Sequence, residues 1–309
     1  MEETASNALV LTAPPGALEG RLVAEMDSVL RVFTDRDGRW LSPGEAWEAQ
    51  FAAPRGDELS GLLAQARAAI RGAPVDANIV QGDRKARRKR LLVADMDSTI
   101  IGQECIDELA DFVGLKPRVA AITERAMRGE IAFEPALRER VALLKGLPEG
   151  VIEAVLRDRI TLTPGATVLV ATMRAHGAAT CLVSGGFSGF VDRIAARVGF
   201  DASRSNVLEV ADGRLSGTVR EPILGREAKL ATLVAMRGEL GLSESQTLAV
   251  GDGANDLAML VAAGLGVAFR AKPAVAAAAA ARIDHSDLTA LLFLQGYARE
   301  EFKTAPDDR

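Results

Sequence analysis

Apolar residues run unbroken through 91–94 before the chain turns acidic at Asp95. Similar short runs recur at 180–183, 247–250 and 266–269, and the first two of these end in glycine-rich sequence. Short apolar runs bounded by turn residues predict strands buried on both faces, as in parallel sheets. Between them lie segments with helical periodicity, including 225–240, and after the last comes an alanine-rich stretch at 276–281 expected to be helical from propensity alone. This alternation predicts an α/β fold, a doubly wound parallel sheet with helices on both faces. Residues 103–159 show only helical patterning, with Pro117, Pro135 and Pro148 at expected helix starts. They are expected to form an inserted cap over the carboxyl ends of the strands. Thr163-Pro164-Gly165 is expected to open a helix with Thr163 as its N-cap. Residues 206–219 are expected to form a hairpin about Asp212-Gly213.

The section before residue 84 has a different pattern. Strands at 8–12 and 77–80 and helices at 18–30 and 57–70 predict a small α+β domain, punctuated by Pro14, Pro43 and Pro54. A basic run, Arg84-Lys85-Ala86-Arg87-Arg88-Lys89-Arg90, follows without interleaved aromatics and is expected to be a solvated linker. The expected organisation is thus an N-terminal α+β domain over 1–83, a basic linker over 84–90, a catalytic core over 91–102 and 160–309, and a cap over 103–159. Lys plus Arg number 37 against 42 Asp plus Glu, a net charge of −5, which gives no reason to expect nucleic acid or a membrane as partner. Two cysteines make no disulfide framework and favour a reducing compartment. An acidic start without a signal-peptide pattern, and no long uncharged apolar stretch, lead to the expectation of a cytoplasmic protein.

The chemistry concentrates at three strand ends. Asp95 and Asp97 leave the first strand on the same side, where unpaired carboxylates repel each other. Ser184-Gly185-Gly186 ends the second strand, and Gly251-Asp252-Gly253-Ala254-Asn255-Asp256 ends another. Adjacent strand ends in such a sheet converge on one crevice. Asp95, Asp97, Asp252 and Asp256 would gather negative charge there that a divalent cation would balance. Oxygen-only donors favour Mg2+. Ser184 and the backbone N–H groups of Gly185 and Gly186 would serve a phosphoryl group. His176 and His285 stand isolated, and Cys105 is expected to be a small structural residue.

In order, Asp95-Met96-Asp97-Ser98-Thr99, Ser184-Gly185-Gly186, Lys229 and Gly251–Asp256 resemble the four motifs of the haloacid dehalogenase superfamily. Residues 104–108 and 133–141 extend the resemblance to the phosphoserine phosphatases, over about 91–292. The resemblance implies a Mg2+-dependent phosphatase that hydrolyses O-phospho-L-serine to L-serine and phosphate through an aspartyl-phosphate, the last step of serine synthesis. It implies Asp95 as nucleophile and Asp97 as acid and base. Asp95, the backbone carbonyl of Asp97, and Asp252 would hold Mg2+, with Asp256 supporting them. Ser184, Gly185, Lys229 and Asn255 would bind the phosphoryl group, while Glu104 and Arg140 would take the ammonium and carboxylate of the substrate. Met127 and Phe133 are candidates for the pocket wall, though core packing is the expectation for both. Arg138 competes with Arg140 and is expected to be solvated. Some members of that family carry a front domain similar to amino-acid-binding regulatory modules. Residues 1–83 would be a degenerate version, or a structural domain that pairs the chain into a homodimer. The alternatives are a phosphatase for another amino alcohol phosphate, a phosphotransferase, and an amino-acid-binding regulator.

Overall fold

The computed structural model describes residues 5–34, 37–53, 57–127 and 130–304. The acidic start at 1–4 and Pro54 lie outside them. In the first part of the chain, β1 (Ala5–Thr12), α1 (Gly20–Leu30), β2 (Arg39–Ser42), β3 (Ala46–Ala53), α2 (Asp57–Ala69) and β4 (Asp76–Gln81) build an antiparallel sheet of order β2-β3-β1-β4. The hydrophobic pattern did not reveal β2 and β3: Glu48 and Gln50 interrupt the run and only pairing makes it a strand. Leu9, Leu11, Trp47, Ala49 and Ala77 face α1 and α2, whereas Ala8, Val10, Ala46 and Val80 face the rest of the molecule and join its main core. The period-2 alternation of a strand thus buries both faces of this sheet.

The main sheet begins with β5 (Leu91–Asp95). Four helices follow: α3 (Cys105–Phe112), α4 (Lys116–Met127), α5 (Phe133–Ala142) and α6 (Val151–Asp158). The chain then returns through α7 (Ala166–Ala175), β6 (Ala179–Phe187), α8 (Ser188–Val198) and β7 (Ala202–Asn206). A hairpin of β8 (Leu208–Ala211) and β9 (Arg214–Val219) braces the cap: Gly146 N–H donates to Leu215 O at 2.8 Å and Leu215 N–H to Leu147 O at 2.9 Å. Next come α9 (Arg226–Glu239), β10 (Thr247–Gly251), α10 (Leu257–Ala262), β11 (Leu265–Phe269), α11 (Pro273–Ala278), β12 (Ala281–Ile283) and α12 (Ala290–Leu294). The sheet order is β12-β11-β10-β5-β6-β7, with every pairing parallel. The fold is therefore the doubly wound α/β sheet with an inserted helical segment and a separate small N-terminal sheet.

Local expectations needed correction in four places. Gly165, with φ +84°, is the N-cap of α7 in place of Thr163, two residues earlier, whose N–H donates to Ile100 O at 2.9 Å. The alanine-rich helix stops at Ala278, and Ala281 instead starts β12, where pairing with β11 overrides propensity. Asn206 belongs to β7, so the hairpin starts two residues later than expected.

The fourth correction concerns the basic run at 84–90, which is not a solvated linker. Arg87 is fully buried and ion-pairs with Glu48, itself buried in β3 and also bonded by Arg39 Nε at 2.8 Å. Arg84 donates to Gly296 O at 2.7 Å, Arg88 pairs with Glu301 and lies 4.1 Å from the Tyr297 ring centroid, and Lys89 Nζ donates to Ser245 O at 2.7 Å. Burial, with help from Arg87, lowers the Lys89 pKa to about 8. The N-terminal sheet is thereby docked on the main core. Asp76 accepts N–H bonds from Asp284 at 2.8 Å and Ser286 at 3.0 Å, and the Asn78 amide exchanges two 2.9 Å bonds with the backbone of Arg282.

Removing one partner of a buried ion pair destabilises a fold by about 3–5 kcal/mol when the other charge is left stranded. Here Glu48 keeps the half-exposed Arg39, so the loss on removing Arg87 should fall below that range and still exceed the loss from an exposed pair. Urea unfolding of Arg87→Ala should show the larger loss, and Arg157→Ala, which breaks an exposed pair with Asp158, the smaller. Equal losses would show that the Arg87–Glu48 pair does not fasten the two sheets.

Candidate active site

Topology puts the site at the carboxyl end of β5. From β5 the chain builds outward through β6 and β7, then crosses to β10, β11 and β12 on the other side, so β5 and β10 flank the switch in winding direction where crevices form. Register sets the heights. Asp95 pairs with Val183, so Ser184 emerges just above it; Val250 pairs with Ala94, which puts Gly251 level with Asp95 and Asp252 one residue higher. Beyond Asp95 the backbone forms a wide turn over Met96–Ile100, closed by Ile101 N–H to Met96 O at 3.0 Å. Within it Ser98 is left-handed, φ +56°, an uncommon state for a residue with a Cβ.

The centre of the site is a buried charge cluster. Lys229, on the first turns of α9 and 2% exposed, places Nζ 2.6 Å from Asp95 Oδ1 and 2.6 Å from Asp256 Oδ1. Burial alone would lower the Lys229 pKa, but the two carboxylates outweigh it and hold the ammonium above its ordinary value. Burial raises the Asp95 carboxyl well above the usual carboxylate range, and Lys229 opposes that rise. Asp252 is raised too, by burial and then by Asp256. Among the described residues, carboxylate oxygens of Asp95, Asp252 and Asp256 lie within 4.8 Å of one another. One ammonium facing three carboxylates leaves negative charge over, and the all-oxygen donor set fits a hard divalent cation. Asp256 is already committed, Oδ1 to Lys229 and Oδ2 to Gly253 N–H at 2.9 Å. A side chain on Gly251 would put its Cβ 2.4 Å from Asp256 Cγ, so glycine is needed there.

Asp97 is held apart from that cluster. Its Oδ1 accepts Cys105 N–H at 2.8 Å, and its Oδ2 accepts the Ser184 hydroxyl at 3.0 Å. Burial raises its pKa, with these bonds acting against the rise. Gly186 N–H donates to Ser184 Oγ at 2.9 Å, and a Cβ on Gly186 would stand 3.0 Å from that oxygen. Cys105 is buried, and burial first and then Asp97 push its thiol far up, which suits a structural residue.

A cavity of about 410 Å³ joins these groups to the inserted helices. Asp95, Asp97, Ser184, Gly185, Lys229, Asp252 and Asn255 line it at the sheet end; Glu104 and Arg140 line it at the other. These sequence-expected residues are therefore brought to one cavity, while Asp256 is fully buried outside its lining. Glu104 faces this concave space and accepts the Ser98 hydroxyl at 2.9 Å. Enclosure by protein and then the Asp97 charge raise its pKa to about 7. Burial lowers the Arg140 pKa, while Asp107 and Glu104 oppose the shift. Phe133 walls the cavity and is 42% exposed, contrary to the expectation of core packing; its ring stands 3.4 Å from where a Cβ on Gly185 would sit. The side chain of Met127 lies outside the described residues. Arg138 is exposed, as expected, but pairs with Glu221 across from the cap to the core. Sequence reasoning missed Ser98, Thr123, Asp107 and Lys272 around this cavity. A hydroxyl directly after the acidic pair was the available signal for Ser98.

Residues 92–261 match the family model described as haloacid dehalogenase-like hydrolase. A phosphoserine phosphatase of Streptomyces coelicolor is 40% identical over 289 residues, covering 94% of this chain and 68% of that protein. The solved structure of a probable phosphoserine phosphatase from Vibrio cholerae aligns with TM-score 0.75 at 32% identity, covering 97% of this chain and 88% of the other. A solved phospho-aspartyl intermediate analogue of phosphoserine phosphatase aligns with TM-score 0.61 at 40% identity, over 67% of this chain and 98% of its own.

A cation that binds the folded state raises its stability, by about 2.7 kcal/mol when its concentration is a hundred times its dissociation constant. Millimolar Mg2+ should raise the thermal unfolding midpoint of the full chain, and Asp252→Asn should abolish the response. An unchanged response in that variant would remove Asp252 from the cation site.

Proposed function

The chain belongs to the haloacid dehalogenase-like hydrolases and, within them, to the phosphoserine phosphatases, and from its site we infer that it hydrolyses O-phospho-L-serine to L-serine and inorganic phosphate. The observation that carries this is one cavity with phosphoryl-handling groups at one end and an acid–base pair of opposite charge, Glu104 and Arg140, at the other. That opposed pair matches the ammonium and carboxylate of an α-amino acid.

In the proposed mechanism a carboxylate oxygen of Asp95 attacks phosphorus, forming an aspartyl-phosphate as the bond from phosphorus to the serine oxygen breaks. Asp97, with its raised pKa, gives its proton to the departing serine oxygen. It then takes a proton from the water that attacks the aspartyl-phosphate, which releases phosphate and restores Asp95. The Ser184 hydroxyl, held on Asp97 before the substrate arrives, turns its one proton to a phosphoryl oxygen as Asp97 turns to the leaving oxygen. The Gly185 backbone holds another, Asn255 reaches them from the β10 loop, and Lys229 offsets the charge that builds on the nucleophile and the transferring group. Mg2+ is the metal proposed for the carboxylate cluster, held by Asp95, Asp252 and the backbone carbonyl of Asp97, with Asp256 in support. Once bound, it would supply positive charge against the phosphoryl oxygens.

The proposed organisation keeps residues 91–102 and 160–309 as the catalytic core, 103–159 as the cap that reads the amino acid, and 1–83 as the docked front domain. We propose a cytoplasmic setting and no nucleic-acid partner. Both cysteines are free and buried, the basic run at 84–90 is engaged within the chain, and no helix among the described residues is long and apolar enough to cross a membrane. The proposed homodimer would leave the core-facing side of the front sheet unused, since that face is covered by the core.

Phosphate release across a panel of phosphate esters tests the assignment. O-phospho-L-serine should be turned over fastest, chelation of divalent cations should stop the reaction, and Asp95→Asn should abolish it with the fold intact. Faster turnover of another ester, or transfer to an added alcohol in place of water, would overturn it. The Glu104 value of about 7 gives a pH signature. Ammonium recognition needs the ionised carboxylate, so KM should rise as pH falls below 7, by up to about tenfold per unit. Glu104→Gln should have a raised KM and a flatter profile, with the titration of the substrate phosphate remaining as the shared background.

A further inference from the structure

Asn206 ends β7 and is 2% exposed, and it does not line the active-site cavity. Its side chain makes three hydrogen bonds. Nδ2 donates to Gly185 O at 2.9 Å and to Leu224 O at 3.1 Å, and Oδ1 accepts Leu224 N–H at 2.7 Å. Each partner leads to a different part of the site.

The first partner lies in the peptide between Gly185 and Gly186. In a planar trans peptide, the carbonyl and the N–H point in opposite directions. Asn206 holds the carbonyl, so it also fixes the N–H on the far side, and that N–H donates to Ser184 Oγ at 2.9 Å. A hydroxyl that accepts on one side is left to donate on the other, and Ser184 donates to Asp97 Oδ2 at 3.0 Å. The amide, the peptide, the hydroxyl and the carboxylate thus form one directed chain. Glycine at 185 and 186 makes this peptide free to rotate unless something clamps it. The second partner, Leu224, directly precedes Gly225, the N-cap of α9, whose first turns carry Lys229.

We propose that Asn206 is a positioning residue for phosphoryl transfer: by clamping the Gly185–Gly186 peptide and the Leu224 backbone together, it sets the Ser184 hydroxyl on Asp97 and fixes the phosphoryl-binding loop relative to the start of the helix that carries Lys229. This rests on the function proposed above. Because Asn206 lies on the sheet side, its effect belongs to the phosphoryl end of the cavity and not to Glu104 and Arg140 in the cap.

The test uses the full chain with Mg2+. Asn206→Asp is nearly isosteric and keeps the acceptor for Leu224 N–H but loses both amide donors, while Asn206→Ala loses all three bonds. Removing a donor that organises a transition state lowers kcat by about 10²–10³ when the contact is direct, and a clamp acting through one peptide should cost about tenfold or more. KM should stay within about threefold. Orthovanadate imitates the five-coordinate phosphoryl group, and its affinity, read by thermal shift, should fall about tenfold or more, while L-serine affinity stays within about twofold. Unchanged kcat and vanadate affinity would overturn the proposal, as would parallel losses of vanadate and L-serine affinity, which denote general disorder. Should the aspartate variant not fold, Asn206→Ser, whose hydroxyl can serve one carbonyl, carries the same comparison. A wild-type chain that binds vanadate but does not turn over phosphoserine would refute the substrate assignment and leave the vanadate comparison as the separate measure of the clamp.

Discussion

The Lys229 ammonium, 2.6 Å from a carboxylate oxygen of Asp95 and 2.6 Å from one of Asp256, is the constraint on which the site depends. Two carboxylates of a parallel sheet's switch point cannot share a nearly dry space without a cation between them. The lysine reaches them only because α9 packs along β5 and β6, and α9 is placed in turn by the loop that Asn206 secures. The chemistry, the sheet order and the helix position are therefore one solution to a single electrostatic problem. The negative charge that remains would give a divalent cation its place there.

The two ends of the cavity follow different rules. Its sheet end is built from strand ends held in register by ladder hydrogen bonds, so distances among Asp95, Ser184 and Asp252 are fixed by backbone geometry. Its cap end is built from helix surfaces, where Glu104 and Arg140 depend on side chains such as Ser98 and Thr123 for orientation. In the proposed reaction, bond making falls to the strand-built end and recognition to the helix-built end, and positional error costs most where bonds form. The β8–β9 hairpin, bonded to the 146–147 turn, ties the second half to the first.

Much of this was legible in the chain, and the limits have physical causes. Apolar runs ending in Asp95, Ser184 and Gly251 could be read because a buried parallel strand leaves a local signature and its end marks the crevice. Glu104 and Arg140 needed family resemblance, because nothing in the local pattern tells a pocket charge from a surface one. The fate of Arg87 was illegible: a basic run looks the same whether solvated or folded onto a buried Glu48 that lies 39 positions earlier. The polar segment around Asn206 carries no period to separate strand from hairpin, and its three bonds are all to residues 18 or more positions away. Long-range satisfaction of polar groups is invisible to periodicity.

The docking of the front sheet has one more consequence. The strand β12 closes one side of the main sheet, and a bare edge of that kind presents unpaired N–H and C=O groups to any extended chain that drifts past. Here the amide of Asn78 stands in for a neighbouring peptide, giving a bond to Arg282 O and taking one from Arg282 N–H, while Asp76 accepts the N–H groups of Asp284, His285 and Ser286. Side chains do the work of a seventh strand without adding one. The front module therefore covers the β12 edge of the main sheet against strand addition by other molecules, a contribution separate from any part it has in turnover.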